Sequence, residues 1–252
     1  MRKSRVRLFA LMMDERARET SMSHAADGVA EYNYTRFDPD ISAMDRLGGV
    51  CEGEPAPDFT ATRLDGTEVA LSDYRGKPVV LETGSVTCPM YASRIPPMNA
   101  LAARFPDVTF LVLYVREAHP GERIGPHRNR LDKVANARLA VGKDRENRTV
   151  LVDDELGTAH HRYGAMPNTV HVIDGSGVVV FRAMWNDPAA VQEVLNRMSD
   201  GQDPSSVAAR FRPASPTVML RVLHRAGWQA LWDFIRSFGR LVWAHRPAVR
   251  SR

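Results

Sequence analysis

Two cysteines occur in the 252 residues, Cys51 and Cys88, and only Cys88 stands where a thiol can do chemistry. It closes the segment Gly84-Ser85-Val86-Thr87-Cys88-Pro89, which follows the apolar run Val79-Val80-Leu81-Glu82-Thr83. That run reads as a buried strand, and Met90–Phe105 reads as a helix, kinked at Pro96-Pro97. Cys88 is thus expected at a helix amino terminus, where unpaired N–H groups and the dipole favour a thiolate. Pro89 suits the first helical position, because its missing N–H would be unpaired there anyway. The competing reading is a buried, inert cysteine, and the strand–turn–Cys-Pro–helix arrangement weighs against it. No Cys-x-x-Cys is present, since Pro89, Met90 and Tyr91 follow, so general dithiol exchange is not expected.

The elements that must position Cys88 can be read along the chain. Thr60–Leu64 and Glu68–Leu71 flank an Asp65-Gly66 turn and form a hairpin. Val108–Val115 is the strongest strand pattern, followed by a polar crossover with a helix over His127–Ala137. Thr149–Val152 is a third core strand and Thr158–Tyr163 a short helix. Thr169–Ile173 and Val178–Arg182 pair across Asp174-Gly175-Ser176-Gly177, and Pro188–Met198 is a helix. Strand–helix–strand, crossover, strand, hairpin, helix is the order of a thioredoxin-like α/β fold, a central mixed sheet flanked by helices. In such folds the strands' carboxyl edge meets ligands. A cis proline opens the strand facing the nucleophile, a place held here by Pro167; an ordinary strand-initiating proline has equal weight.

Composition is ordinary for a globular chain, 44% hydrophobic and 25% charged. The net charge of +4 is uneven: from Asp203 onward there are nine Arg, two Asp and no Lys or Glu, a net +7 against −3 for the preceding residues. The organisation expected is an arm over 1–52, a redox domain over 53–200, and a linker with a basic amphipathic helix over 201–252. The arm is Met-rich, aperiodic and expected to be mobile. Its apolar run Leu8–Met13 is shorter than the ~7–15 residues of a secretory signal core. With no run approaching the ~20 residues of a bilayer span, the expected compartment is cytoplasmic.

Two segments together resemble the iodothyronine deiodinases. Gly84-Ser85-Val86-Thr87-Cys88-Pro89 is similar to that family's Gly-Ser-Cys-Thr-Sec-Pro, with cysteine in the selenocysteine place. Tyr114-Val115-Arg116-Glu117-Ala118-His119-Pro120 resembles its Tyr-Ile-Glu-Glu-Ala-His-Pro. Pro126-His127-Arg128 with Leu131-Asp132, and Tyr163-Gly164-Ala165-Met166-Pro167, resemble two further stretches, so the likeness runs from Gly53 to Met198. The resemblance implies reductive removal of iodine from an iodinated aromatic ring, driven by an external thiol with no bound cofactor. It makes Cys88 the nucleophile, flanked by Thr87, and places Glu117 and His119 near proton transfer. It assigns His127, Met166 and Pro167 to the substrate. The family's cysteine two places before the nucleophile is Val86 here, and its Arg after the proline falls on Thr169.

A peroxiredoxin-like thiol peroxidase is the alternative. Ser85, three residues before Cys88, would then offer its hydroxyl to a peroxide, and Cys51 would resolve a sulfenic acid, although a cysteine in the arm reads more readily as incidental. That family's Pro seven residues before the cysteine is Leu81 here. A non-enzymatic redox sensor would keep the fold alone. His160-His161 lacks supporting ligands and reads as a solvated helix surface rather than a metal site. The tail over Thr217–Trp243 places Leu220, Leu223, Gly227, Leu231, Phe234, Phe238 and Leu241 on one helical face, with Arg221, Arg225, Arg236 and Arg240 on another. It is expected to pack on its own domain or in a homodimer, or to lie on an anionic membrane surface. Nucleic-acid binding has no support.

Overall fold

The computed structural model describes residues 28–39 and 47–244. Seven strands form one mixed sheet: β1 (Thr60–Arg63), β2 (Glu68–Ala70), β3 (Val79–Gly84), β4 (Thr109–Tyr114), β5 (Thr149–Val152), β6 (Val170–Ile173) and β7 (Val179–Ala183). Their spatial order is β2-β1-β5-β4-β3-β6-β7. β3 and β4 run parallel, as do β4 and β5, whereas β6 lies antiparallel to both β3 and β7. The parallel pair needs a crossover, which is α1 (Pro89–Arg104). With α4 (Pro188–Ser199) after β7, this is the βαβ–ββα core of a thioredoxin-like fold.

Period-two alternation builds the core. Val79, Leu81, Leu111 and Leu113 face one side, with Phe59, Leu71 and Tyr163. Val80 and Phe110 face the other, under Met98 and Leu101 of α1 and Val191 and Val194 of α4. Pro96 and Pro97 sit inside α1 but on its exposed face. The crossover helix α2 runs over Arg130–Asp144, later and longer than its polar sequence suggests. Asn129 starts it by accepting from Asp132 N at 3.0 Å, and Lys133, Ala137 and Ala140 form its buried stripe. α3 (Thr158–Arg162) precedes β6.

Two appendages depart from expectation. Residues 28–39 of the arm pack into the fold: Tyr32 is buried with its hydroxyl 2.8 Å from His160 Nδ1, and Arg36 pairs with Asp233. The tail is two helices, α5 (Pro216–Ala226) and α6 (Trp228–Ala244), not one. They break at Gly227, whose φ of +130° suits glycine. Glu122 caps the second helix from a distant loop, accepting from Trp228 N at 2.6 Å and Gln229 N at 2.9 Å. The tail packs on its own domain, Arg225 bonding Asp144 at 2.8 Å and donating to Val86 O at 2.8 Å. No helix among the described residues is long and apolar enough to cross a membrane.

Candidate active site

β3 and β4 deliver two loops to the same sheet edge, and hydroxyls stitch them together. Cys88 is the N-cap of α1, its N–H donating to Ser85 O at 3.0 Å. Gly84 lets the turn pass under Tyr91, because a Cβ there would stand 2.3 Å from that ring. From the neighbouring loop, Ala118 N donates to Ser85 Oγ at 3.1 Å and His119 N to Thr87 Oγ1 at 3.2 Å. Thr87 Oγ1 in turn donates to Glu117 Oε2 at 2.6 Å, and Thr87 N reaches the same oxygen at 3.2 Å. The other oxygen, Oε1, accepts from Tyr114 OH at 2.6 Å and Asn136 Nδ2 at 3.3 Å, and meets His127 Nε2 at 2.9 Å.

Glu117 is therefore the buried knot under the site rather than a group facing substrate. Burial raises its carboxyl's pKa, but His127's hydrogen bond and charge, then the Thr87 and Tyr114 hydroxyls, outweigh that and hold it below the usual carboxylate range.

Above the knot lies a cleft of about 900 Å³, counted out to its open mouth. Cys88, His119 and Pro167 line its floor. Its walls are aromatic and apolar, with Phe37 from the arm, Trp185 after β7, Phe211 from the linker and Phe234 from α6. The ring of His119 packs on Phe37 at 4.1 Å and edge-on to Phe234 at 5.9 Å between centroids. Its Nδ1 is buried without a hydrogen-bond partner.

Protonation states follow from this dryness. Burial pushes the Cys88 thiol up to about 12; the N–H groups of Tyr91 and Met90 pull against it, while the Glu82 and Glu117 carboxylates add to the rise. Glu82 is fixed nearby by Arg148 at 2.5 Å and Asn168 at 2.7 Å. The helix amino terminus is thus present as expected, but desolvation outweighs it and the resting sulfur is a thiol. Burial likewise lowers His119 to about 4, against the pull of Asp233. The floor holds a neutral thiol and a neutral imidazole at pH 7.

The residues singled out from sequence separate into three groups. Cys88, His119 and Pro167 share the cleft. Ser85, Thr87 and Glu117 lie fully buried beneath it; Ser85 Oγ is engaged by Ala118 N and does not line the cleft, so it is not set to meet a peroxide. His127 and Met166 are buried outside the lining, His127 on Glu117 and Met166 with its carbonyl accepting from Thr83 Oγ1 at 3.2 Å.

Two further expectations are corrected. The Met166–Pro167 bond is trans; the chain turns before β6 through Gly164 and Ala165, at φ +98° and +56°. His160 is not a solvated surface residue but fully buried, between Tyr32 OH and Met166 O at 2.8 Å each. Cys51, read as incidental to the chemistry, is exposed and free, outside the cleft lining. Among the described residues no group of three or more His, Cys, Asp or Glu could hold a metal ion. The aromatic walls escaped sequence reading because they come from the arm, the linker and α6, whose convergence no local pattern encodes.

The sequence pattern of the iodothyronine deiodinase family matches residues 2–198. Thyroxine 5-deiodinase of Rattus norvegicus is 30% identical over 144 residues, covering 52% of this chain and 47% of the relative. The Bos taurus type II iodothyronine deiodinase is 32% identical over 105 residues, covering 36% and 38%. The chain spans about half the length of the thyroxine 5-deiodinases that it matches over 144 residues. Among solved structures, an uncharacterized conserved protein from Geobacillus kaustophilus superposes with a TM-score of 0.52 at 18% identity, covering 65% of this chain and 88% of that one. A hypothetical protein from Sinorhizobium meliloti gives 0.52 at 13%, covering 66% and 92%. Helices α5 and α6, which wall the cleft, lie beyond the residues matched by the family.

Proposed function

The chain belongs to the iodothyronine deiodinase family, and from that premise we propose that it is an oxidoreductase that removes iodine reductively from an apolar iodinated aromatic, with Cys88 as nucleophile and an external thiol as reductant. The observation that carries this is the floor of the cleft: one thiol and one imidazole among aromatic walls. Rings on rings give an aryl substrate offset or edge-on contacts.

The electron inventory closes on these two side chains and the reductant. Cys88 Sγ attacks the iodine atom, forming an S–I bond as the C–I bond breaks, and the bonding pair remains on the ring carbon. That carbon must take a proton. Cys88 rests as a thiol and His119 as a neutral base, so the proton released when the sulfur attacks passes to His119 and from it to carbon. An incoming thiol then attacks the Cys88 sulfur, expelling iodide and leaving a mixed disulfide, and a second thiol restores Cys88. Ser85, Thr87 and Glu117 act as positioning residues that hold the His119 loop against the Cys88 loop.

The test is iodide release from iodotyrosines and iodothyronines with excess dithiothreitol, for wild type, Cys88→Ser and His119→Ala. Release should vanish in the first variant and fall about 10²-fold or more in the second. Release that survives in Cys88→Ser would end the proposal.

A further inference from the structure

Helix α6 meets the fold with a mixed side inward, Leu231 and Phe234 packing half-buried against Leu223 and Ala226. Toward the domain it turns Ala230, Asp233 and Ser237, all buried, and Asp233 takes both forks of the Arg36 guanidinium, Nε at 2.8 Å from Oδ2. Outward it turns Trp228, Trp232, Ile235 and Phe238, exposed by 64, 57, 55 and 52%. At about 100° per residue, Trp228, Trp232, Ile235 and Gly239 fall within roughly 60° of arc. A surface helix ordinarily shows a polar outer face; this one exposes large apolar side chains instead. Leu220 of α5 is also exposed, and the His224 ring of α5 meets Trp228 edge-on at 5.9 Å. The helix is held in this orientation by the Glu122 cap on Trp228 and Gln229 and by Arg36 on Asp233. Contiguous apolar surface of this kind marks a contact with another phase or molecule.

Charge selects the occupant. Arg236 borders the stripe on its exposed side, Arg240 and Arg221 lie close by, half-exposed and paired with Asp38 at 2.8 Å and Asp144 at 3.3 Å, and the segment from Asp203 onward carries a net +7 with no Lys or Glu. Guanidinium groups pair with phosphate oxygens in fork geometry, and tryptophan rings favour the headgroup level of a bilayer. A two-fold contact between copies would bring these arginines against their own equivalents. We propose that α5 and α6 form a peripheral docking surface for an anionic lipid bilayer, α6 lying in the interface plane with Trp228, Trp232 and Ile235 among the headgroups and Arg236 on lipid phosphate. Phe238 belongs both to this outward face and to the cleft wall, so the docked face borders the cleft. Docking does not depend on what the cleft turns over.

The experiment is vesicle flotation of the full chain, with phosphatidylcholine alone and with about 30 mol% phosphatidylglycerol added. Wild type should float with the anionic vesicles, bind neutral ones about tenfold more weakly or less, and release as salt rises. Trp232→Glu with Ile235→Glu should weaken anionic binding about tenfold or more, with circular dichroism and Cys88 alkylation unchanged. Arg236→Glu, which leaves the apolar stripe intact, should weaken it in low salt and less so in high salt. Failure to float with anionic vesicles, or flotation unaffected by the double substitution in a folded chain, would overturn the proposal. A lipid-free dimer that the double substitution dissociates would assign the face to a second copy instead.

Discussion

Replacing Glu117 by Gln tests whether the buried knot beneath the cleft is held by charge. The carboxylate accepts from Thr87 N, Thr87 Oγ1, Tyr114 OH and Asn136 Nδ2, and pairs with His127. Hydroxyls can rotate and accept from an amide, but an N–H cannot. With the new NH2 at the Oε2 place, it faces the fixed Thr87 N–H; at the Oε1 place, it faces the Asn136 NH2 as that amide is now set. Either orientation leaves a buried donor against a donor, a cost of about 1–3 kcal/mol each, and hydrogen bonds to a charged acceptor are lost at about 1.5–3 kcal/mol. The two losses together put the expected destabilisation at about 3–5 kcal/mol. The assay is the denaturant midpoint of both proteins at constant slope from pH 7 down to pH 3. Because the folded carboxyl titrates below its ordinary value of 4.5, its contribution is whole above that pH and is lost as pH falls through the lowered folded value. The gap between wild type and variant should therefore be full at pH 7 and close in acid. A loss below about 1 kcal/mol at pH 7, or a gap that stays constant with pH, would refute the reasoning.

Three buried histidines set a second pH dependence: burial lowers His119 to about 4 and His160 and His171 each to about 3, all from 6.5. Stability should be whole above pH 6.5 and fall as pH drops toward 4, by up to about 1.4 kcal/mol per pH unit for each; a flat denaturant midpoint between pH 6.5 and 4.5 would contradict this. Gly227→Ala forces φ +130° on a residue with a Cβ, 2.2 Å from the Glu122 carboxylate; a loss of about 2 kcal/mol or more in thermal unfolding is expected, and a neutral effect would mean that α6 is not pinned as described. Trp185→Ala removes one aromatic wall of the cleft and should raise KM about tenfold for an iodinated aryl substrate while leaving kcat nearer wild type; an unchanged KM would place the substrate elsewhere.

The redox core was legible because its signals are local. Val79–Thr83 and Val108–Val115 announce buried parallel strands by unbroken apolar runs, and Cys88-Pro89 marks the helix start that follows. What was not legible depends on contacts far apart in sequence. Periodicity carries one helix from Thr217 to Trp243, and nothing nearby says that Glu122 will cap a second helix at Trp228. The helix-terminus argument predicts a lowered Cys88 pKa, whereas burial between β3, α1 and the tail raises it. The family resemblance implies Glu117 near proton transfer and His127 on the substrate; the contact that buries them against each other beneath the cleft joins residues ten apart, across a loop with no local pattern. His160, on a short polar helix, is buried because Tyr32 of the arm folds over it.

Whether the Cys88 sulfur takes iodine from a ring is decided by a single turnover without reductant. Wild-type protein in excess over an iodinated aryl substrate, with no added thiol, should yield the deiodinated ring in step with oxidation of Cys88, the S–I bond hydrolysing to iodide and a sulfenic acid that dimedone traps at that residue. Deiodinated ring appearing while Cys88 stays unlabelled, or appearing equally with Cys88→Ser, would contradict the account.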